Sequence, residues 1–294
     1  MEKIGIVTVL YNSESVLEDF FRTLDNQTYK NFVLYVIDNN STDESLSRSM
    51  QLSKEVSFET KFFPEKTNWG VAKGNNIGII NALADNCDYV LLSNNDIVLE
   101  PDTIQNLYDG LKQMNASMAV PKIYFYDTDQ IWAAGGYFSY YKGSTPHNGY
   151  LQQDKGQFDK ARMVGYSATC FMLIDSKVFH KVGLMDESYF VYFDDSDFVW
   201  RAVNGHKMRL AYIPTSTLQH KESTCTGGSR TDFSIYYFNR NQRYFIKKNM
   251  RFPQRQLSLM YSTLHTLLMK SRRLPEKQYA LVKKAIADSN KMIK

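Results

Sequence analysis

No run of about 18 consecutive apolar residues occurs anywhere in the 294-residue chain, so no helix is expected to span a membrane. The start, MEKIGIVTVLYN, lacks a basic segment followed by an apolar helix; it reads as a strand that begins at once, which argues against export. Cysteine is scarce. Cys87, Cys170 and Cys225 are odd in number, widely spaced and without a CxxC pair, which argues against a disulfide framework or a zinc site and fits a reduced cytosol. The dinucleotide fingerprint G-x-G-x-x-G is missing, which weakens a hydride-transfer reading. Internal repeats, low-complexity linkers and a Ser–His–Asp or Cys–His arrangement are missing too.

What is present describes an ordinary globular protein. Hydrophobic residues make up 43% and charged residues 22%, and the length suits one or two domains. The net charge of +4 is unevenly spread. From Arg240 onward Lys and Arg recur while only Glu276 and Asp288 are acidic, so the body is acidic and the tail basic. Such a tail suits an anionic partner such as a membrane, or is simply a solvated helical face.

Ile4–Tyr11 and Phe32–Ile37 are β-branched and aromatic runs of strand length. Between them Ser15 and Glu18 stand at capping-box spacing, and Val16, Leu17, Phe20, Phe21 and Leu24 recur at helical spacing. This is a βαβ unit, hence parallel pairing. The rhythm continues with a strand near Val56–Phe63, a helix near Ala72–Ala84, a strand at Tyr89–Ser93, a helix opened by Pro101 and a strand around Ala119–Tyr124. Residues 125–163 have no sustained period and read as loops. A strand at Cys170–Ile174 and a helix at Asp175–Val182 follow, and then strand signals at Arg209–Ile213 and Thr217–Gln219. The end reads as two amphipathic helices. Leu257, Met260, Tyr261, Leu264 and Leu268 line the first, and Val282, Ala285, Ile286 and Ser289 the second. The expected fold class is α/β with a mostly parallel central sheet. A domain over residues 1–250, with halves near 1–124 and 125–250, precedes a basic helical tail over 251–294.

Polar clusters fall at strand ends, where open α/β sheets bind ligands. Tyr11-Asn12 follows the first strand, Asp38-Asn39-Asn40-Ser41-Thr42-Asp43 the second, and Asn94-Asn95-Asp96 the strand at 89–93. Any one could be turn chemistry, but three on one sheet point to a shared site. In Asn68-Trp69-Gly70-Val71-Ala72-Lys73-Gly74-Asn75-Asn76-Ile77-Gly78 the glycines recur every four residues along one helix face. They permit close approach of either a neighbouring strand or a phosphate. The acidic run Asp194-Asp195-Ser196-Asp197 places three repelling carboxylates within four residues. Asp197 can pair with Arg201 one turn on, which leaves Asp194 or Asp195 free; helix capping is the alternative. His220 follows a strand and by itself is more often a packed residue than a ligand.

The ordered set VTVLYN, DNNSTD, NWGVAKGNNIG, LLSNND, GYSATCFML, FVYFDDSDFVWRA and HKES resembles family-2 glycosyltransferases. The likeness is to the bacterial subgroup of rhamnosyltransferases and galactofuranosyltransferase-like enzymes, and it covers residues 4 to about 250. It implies a GT-A fold that binds a nucleoside diphosphate sugar with a divalent cation, Mg²⁺ or Mn²⁺, and inverts the anomeric centre. It further implies that Thr8, Tyr11, Asn12, Asp38 and Asn39 hold the base. Asn68, Gly70, Lys73, Asn75, Asn94 and Asn95 join the nucleotide-sugar site. Arg240 faces the diphosphate, Asp96 binds the cation with His220, and Asp195 is the base, supported by Asp194, Asp197 and Arg201. Two departures stand out: Asp38-Asn39 replaces a pair of aspartates, and Asn94-Asn95-Asp96 replaces D-x-D. An Asn carbonyl can still accept from the N3–H of uracil or thymine. A single carboxylate leaves the cation held mainly by diphosphate oxygens.

The resemblance makes dTDP-rhamnose the first expected donor and UDP-galactofuranose or another UDP-sugar the second. The expected acceptor is a saccharide or lipid-linked saccharide of bacterial surface polysaccharide. The expected setting is cytoplasmic, with peripheral contact to an anionic membrane, no nucleic-acid partner, and oligomerisation left open. A catalytically silent nucleotide-sugar-binding module is the alternative, against which the joint presence of Asp96, Asp195 and Arg201 argues.

Overall fold

The computed structural model describes residues 1–221, 231–271 and 275–293, with the side chains of 269–271 left aside. Glu222, Ser223, Cys225, Arg272 and Arg273 lie outside the described residues. The chain opens with β1 (Ile4–Leu10), a 3₁₀ turn at Glu14–Val16, α1 (Leu17–Asp25), β2 (Phe32–Asp38), α2 (Ser45–Leu52), β3 (Glu59–Pro64) and α3 (Gly70–Ala84). β4 (Tyr89–Ser93), β5 (Ile97–Leu99), α4 (Thr103–Gln113) and β6 (Met118–Phe125) complete the first half. β1 and β2 are buried on both faces, which explains their unbroken apolar composition.

The expected capping box does not form. Ser15 lies inside the 3₁₀ turn and Glu18 in the first turn of α1, no side chain caps that helix, and exposed Glu18 pairs with Arg48. The α3 glycines serve close packing: a Cβ at Gly74 would lie 2.8 Å from Val9, and one at Gly78 2.3 Å from Val7. Gly70 differs, with φ +80° and its Cα against the Phe190 carbonyl.

The segment read as loops carries three short strands, β7 (Gln130–Ala133), β8 (Gln152–Gln153) and β9 (Arg162–Met163). Then come β10 (Phe171–Asp175), α5 (Ser176–Val182), α6 (Asp194–Trp200), a π turn at Arg201–Gly205 and β11 (Leu210–His220). The helices α7 (Asp232–Asn249), α8 (Gln254–Ser271) and α9 (Glu276–Lys291) end the chain.

One sheet runs β3-β2-β1-β4-β10-β6-β11-β5, with β7, β8 and β9 attached beside it. β3, β2, β1 and β4 are parallel, as the βαβ reading requires. Beyond them the sheet is mixed: β10 runs antiparallel between β4 and β6, and β11 runs parallel to β6 with an irregularity between Ile213 and Thr217. Apolar cores fill both faces.

In the tail, α9 buries Val282, Ala285 and Ser289 and packs chiefly on α7. α8 turns Ser258, Ser262 and Thr266 inward. Its stripe of Leu257, Met260, Tyr261, Leu264, Leu267 and Leu268 is exposed. Among the described residues no helix is long and apolar enough to cross a membrane.

Candidate active site

The first cluster forms where β1 and β2 end. Asp38 and Asn39 are buried, and Asp38 Oδ1 and Asn39 Oδ1 have no hydrogen-bond partner. A buried orphan acceptor costs about 1–3 kcal/mol, so two side by side describe a place for donors of a ligand. The Asn39 amide donates to Gly70 O at 2.9 Å, which fixes the direction of its free oxygen. Asn12, at φ +52°, accepts from Thr42 N at 2.8 Å and ties the first strand end to the second, with Tyr11 exposed beside it. Asn68 Oδ1 accepts from Gly70 N at 2.9 Å. Asn75 is buried, and Lys73 Nζ stacks 3.5 Å over the Trp69 ring. Thr8 is wholly buried with an unpartnered hydroxyl, and so has no surface turned to solvent.

The second cluster depends on β5. This three-residue strand, not foreseen in the sequence, pairs antiparallel with β11 and sets His220 opposite Ile97. His220 Nε2 thereby lies 3.0 Å from Asp96 Oδ1 and 3.4 Å from Asn94 Nδ2. Burial pushes the Asp96 carboxyl up, but the bond and charge of His220, with Asn94, outweigh it and hold the group below its ordinary value. Asn95 donates to Val9 O at 2.9 Å and joins this turn to β1. Among the described residues no three His, Cys, Asp or Glu side chains converge as a metal cage. Asp96 and His220 do fit two ligands of a hard cation whose other oxygens come from a bound diphosphate.

The third cluster opens α6. Tyr192 and Phe193 both adopt left-handed backbone, at φ +64° and +67°, costing about 1–3 kcal/mol each. Buried Asn241 offsets this by donating to Val191 O at 2.7 Å and Tyr192 O at 2.9 Å. The loop then delivers three acids to different fates. Asp197 is fully buried and accepts from Arg201 Nε, Asn249 Nδ2 and Lys248, while Arg201 also holds Val182 O and Leu184 O. This pair is structural, as the four-residue spacing anticipates. Asp195 accepts from Tyr166 OH on Oδ2 and from Ser196 N on Oδ1, each at 2.6 Å. Burial raises Asp195, with Tyr166 and Ser196 pulling it back; burial and the Asp195 charge raise Asp194. Of the two, only Asp195 has side-chain hydrogen bonds that favour its charged form.

A chain of side-chain contacts runs from Asp96 to Asp195. The buried Cys170 thiol is raised first by burial and then by the charges of both carboxylates. Its carbonyl accepts from Asn94 N at 2.7 Å. An aromatic wall joins the same two acids: Trp132 lies 4.8 Å from His220 and 4.7 Å from His147, and His147 lies 5.8 Å from Tyr166. Burial, then the His220 charge, pushes His147 down to about 4, so it is neutral at physiological pH. Sequence reasoning missed Trp132 and His147, because they sit in the aperiodic stretch after β6; Tyr166 lies in the GYSATC motif without a role assigned. Arg240 donates to Asn241 Oδ1 and Ser188 O and lies 4.8 Å from the Tyr237 ring, beside the loop that leads into α6.

A half-parallel, half-mixed sheet with polar acceptors where β1 and β2 end has the architecture of the GT-A fold. The family model for Glycosyl transferase family 2 matches residues 5–183, and the chain belongs to that family. It is 24% identical to a low-salt glycan biosynthesis hexosyltransferase of Haloferax volcanii, over 97% of this chain and 89% of that protein. It is 23% identical to the N-acetylglucosaminyl-diphospho-decaprenol L-rhamnosyltransferase of Mycobacterium tuberculosis, over 76% of this chain and 78% of that protein. Among solved structures, S. aureus TarS in complex with UDP superposes with a TM-score of 0.63 at 14% identity, covering 98% of this chain and 80% of that one. The Pyrobaculum calidifontis mannosyltransferase in complex with GDP-Man and Mn²⁺ superposes with a TM-score of 0.60 at 12% identity, covering 99% and 75%.

Proposed function

We propose that this glycosyltransferase inverts the anomeric centre of a pyrimidine nucleoside diphosphate sugar in one displacement. The Asp38 and Asn39 acceptors take the base N3–H. Asp96 and His220 would hold a divalent cation, which would supply Lewis-acid stabilisation to a leaving diphosphate. Asp195 takes the acceptor hydroxyl proton as the new C1–O bond forms and the C1–O bond to phosphate breaks. The observation that carries this reading is the chain of contacts from the Asp96–His220 pair through Trp132, His147 and Tyr166 to Asp195. One metal corner and one base suffice for inversion, with no covalent intermediate.

The likeness to a rhamnosyltransferase supports dTDP-rhamnose as first donor, a lipid-linked saccharide as acceptor and a role in surface polysaccharide synthesis; UDP-galactofuranose is the second donor. The exposed apolar stripe of α8, beside exposed Arg251 and Arg255, supports peripheral docking on an anionic membrane from the cytoplasmic side. A thermal-shift screen of nucleotide sugars with and without Mn²⁺ tests the donor. A stabilised complex with a dTDP- or UDP-sugar that needs the metal is expected, and stabilisation by purine nucleotide sugars alone would overturn the base assignment.

A further inference from the structure

Away from the active site, a surface cavity of about 330 Å³ lies where the end of α6 and its π turn meet the α7–α8 junction. Arg201, His206, Lys247, Lys248, Arg251 and Arg255 line it, and no carboxylate does among the described residues. Two of these charges are already answered, since Arg201 and Lys248 pair with Asp197. Arg251 and Arg255 make no ion pair among the described residues. Among the described residues Lys247 donates to the neutral Asn290 amide oxygen and pairs with no carboxylate. The Lys247 ammonium is lowered by burial and then by the charge of Arg243, whose own Nε is buried without a partner.

The dipoles explain only part of this. Lys247 and Lys248 in the last turn of α7 suit its negative end. Arg255 does not suit its position: it stands in the first turn of α8, a helix of 18 residues with no acid there, where the positive end repels it. Arg251, just before α8, lines the same cavity as Arg255, so the two like charges are gathered without a carboxylate between them. An anion in the cavity offsets both penalties. The exposed apolar stripe of α8 begins at Leu257, within a turn of Arg255 along the chain, so the cavity adjoins the element read above as meeting a membrane.

We propose that this cavity binds the phosphate of an anionic membrane lipid and anchors the start of α8 at the headgroup layer. This rests on the membrane reading above and adds a defined site to it. The test uses the full-length protein in sedimentation with phosphatidylglycerol/phosphatidylcholine vesicles and with phosphatidylcholine alone. Wild type is expected to bind the acidic vesicles and release them in high salt. Arg251→Gln/Arg255→Gln is expected to lose about tenfold or more in that affinity. Lys283→Gln/Lys284→Gln, which removes the same charge from exposed positions on α9, is expected to bind nearly as wild type. Melting temperatures and donor binding of both variants confirm their folding.

Equal affinities for the two double variants overturn the cavity and leave generic attraction of the tail. No binding of wild type to acidic vesicles overturns both the membrane reading and the lipid site. If inorganic phosphate stabilises wild type but not Arg251→Gln/Arg255→Gln, while vesicle binding is the same for both, the cavity is a free-phosphate site and the lipid assignment falls.

Discussion

At the scale of single residues, three neighbouring acids have been given three tasks by their partners. Asp197 is consumed by Arg201, Lys248 and Asn249; Asp194 is buried against a like charge; Asp195 keeps an oxygen on the Tyr166 hydroxyl. Asp195→Asn is therefore expected to lower transfer by about 10²–10⁴-fold with donor affinity nearly unchanged. Transfer rates beside donor calorimetry check this, and an active Asp195→Asn enzyme with a dead Asp194→Asn one would falsify the assignment. Tyr166 acts through Asp195 and is a positioning residue. Because burial raises Asp195, the acid limb of kcat/KM should lie above the ordinary carboxylate range. Tyr166→Phe removes a donor that lowers that value, so the limb should move to higher pH while the plateau is largely kept. A pH–rate profile unchanged by Tyr166→Phe removes this role.

Asp194 makes a matching statement about stability. Its folded value is raised, so between the ordinary carboxylate value and the raised one the native state binds more protons than the unfolded chain. Stability from this group is then kept at low pH and lost as pH rises through that window. Asp194→Asn should accordingly raise the melting temperature at pH 8 more than at pH 4.5, as calorimetry at the two values can read. At the cation, Asp96→Ala should abolish metal-dependent donor binding. His220→Ala should weaken it less, because an imidazole ligates a cation only in its neutral form and so brings a ligand but no charge. Equal metal-dependent affinities in wild type and Asp96→Ala place the cation elsewhere.

At the scale of elements, α3 and β5 show two ways in which short segments build a site. The α3 glycines bring a helix against β1, and the four-residue spacing announced a special face without saying what it met. Val7 is short and branched, so it has little room to give way to a new methyl. Gly78→Ala should cost about 1–3 kcal/mol, as overpacking does, and lower the melting temperature without selectively altering metal dependence. β5 is the opposite case. Its three residues are too few for any periodic signal, yet its register against β11 is what sets His220 beside Asp96.

At the scale of the whole molecule, the βαβ order, the polar strand ends and the Asp197–Arg201 pair were legible in the sequence, because they depend on periods of two or 3.6 and on spacings within one helix. The order of family motifs was equally legible, and the family match over residues 5–183 agrees with it. Tertiary structure alone decided the mixed far side of the sheet, the turning of α8 to show its apolar stripe, and the wall of Trp132, His147 and Tyr166. The reason is physical. Local sequence sets which face of an element is apolar, but the contact between Asp96 and His220, across 124 positions, exists only through strand register. Likewise, how three neighbouring carboxylates are partnered depends on donors that arrive from the segment between β9 and β10 and from α7, and no local pattern encodes their arrival.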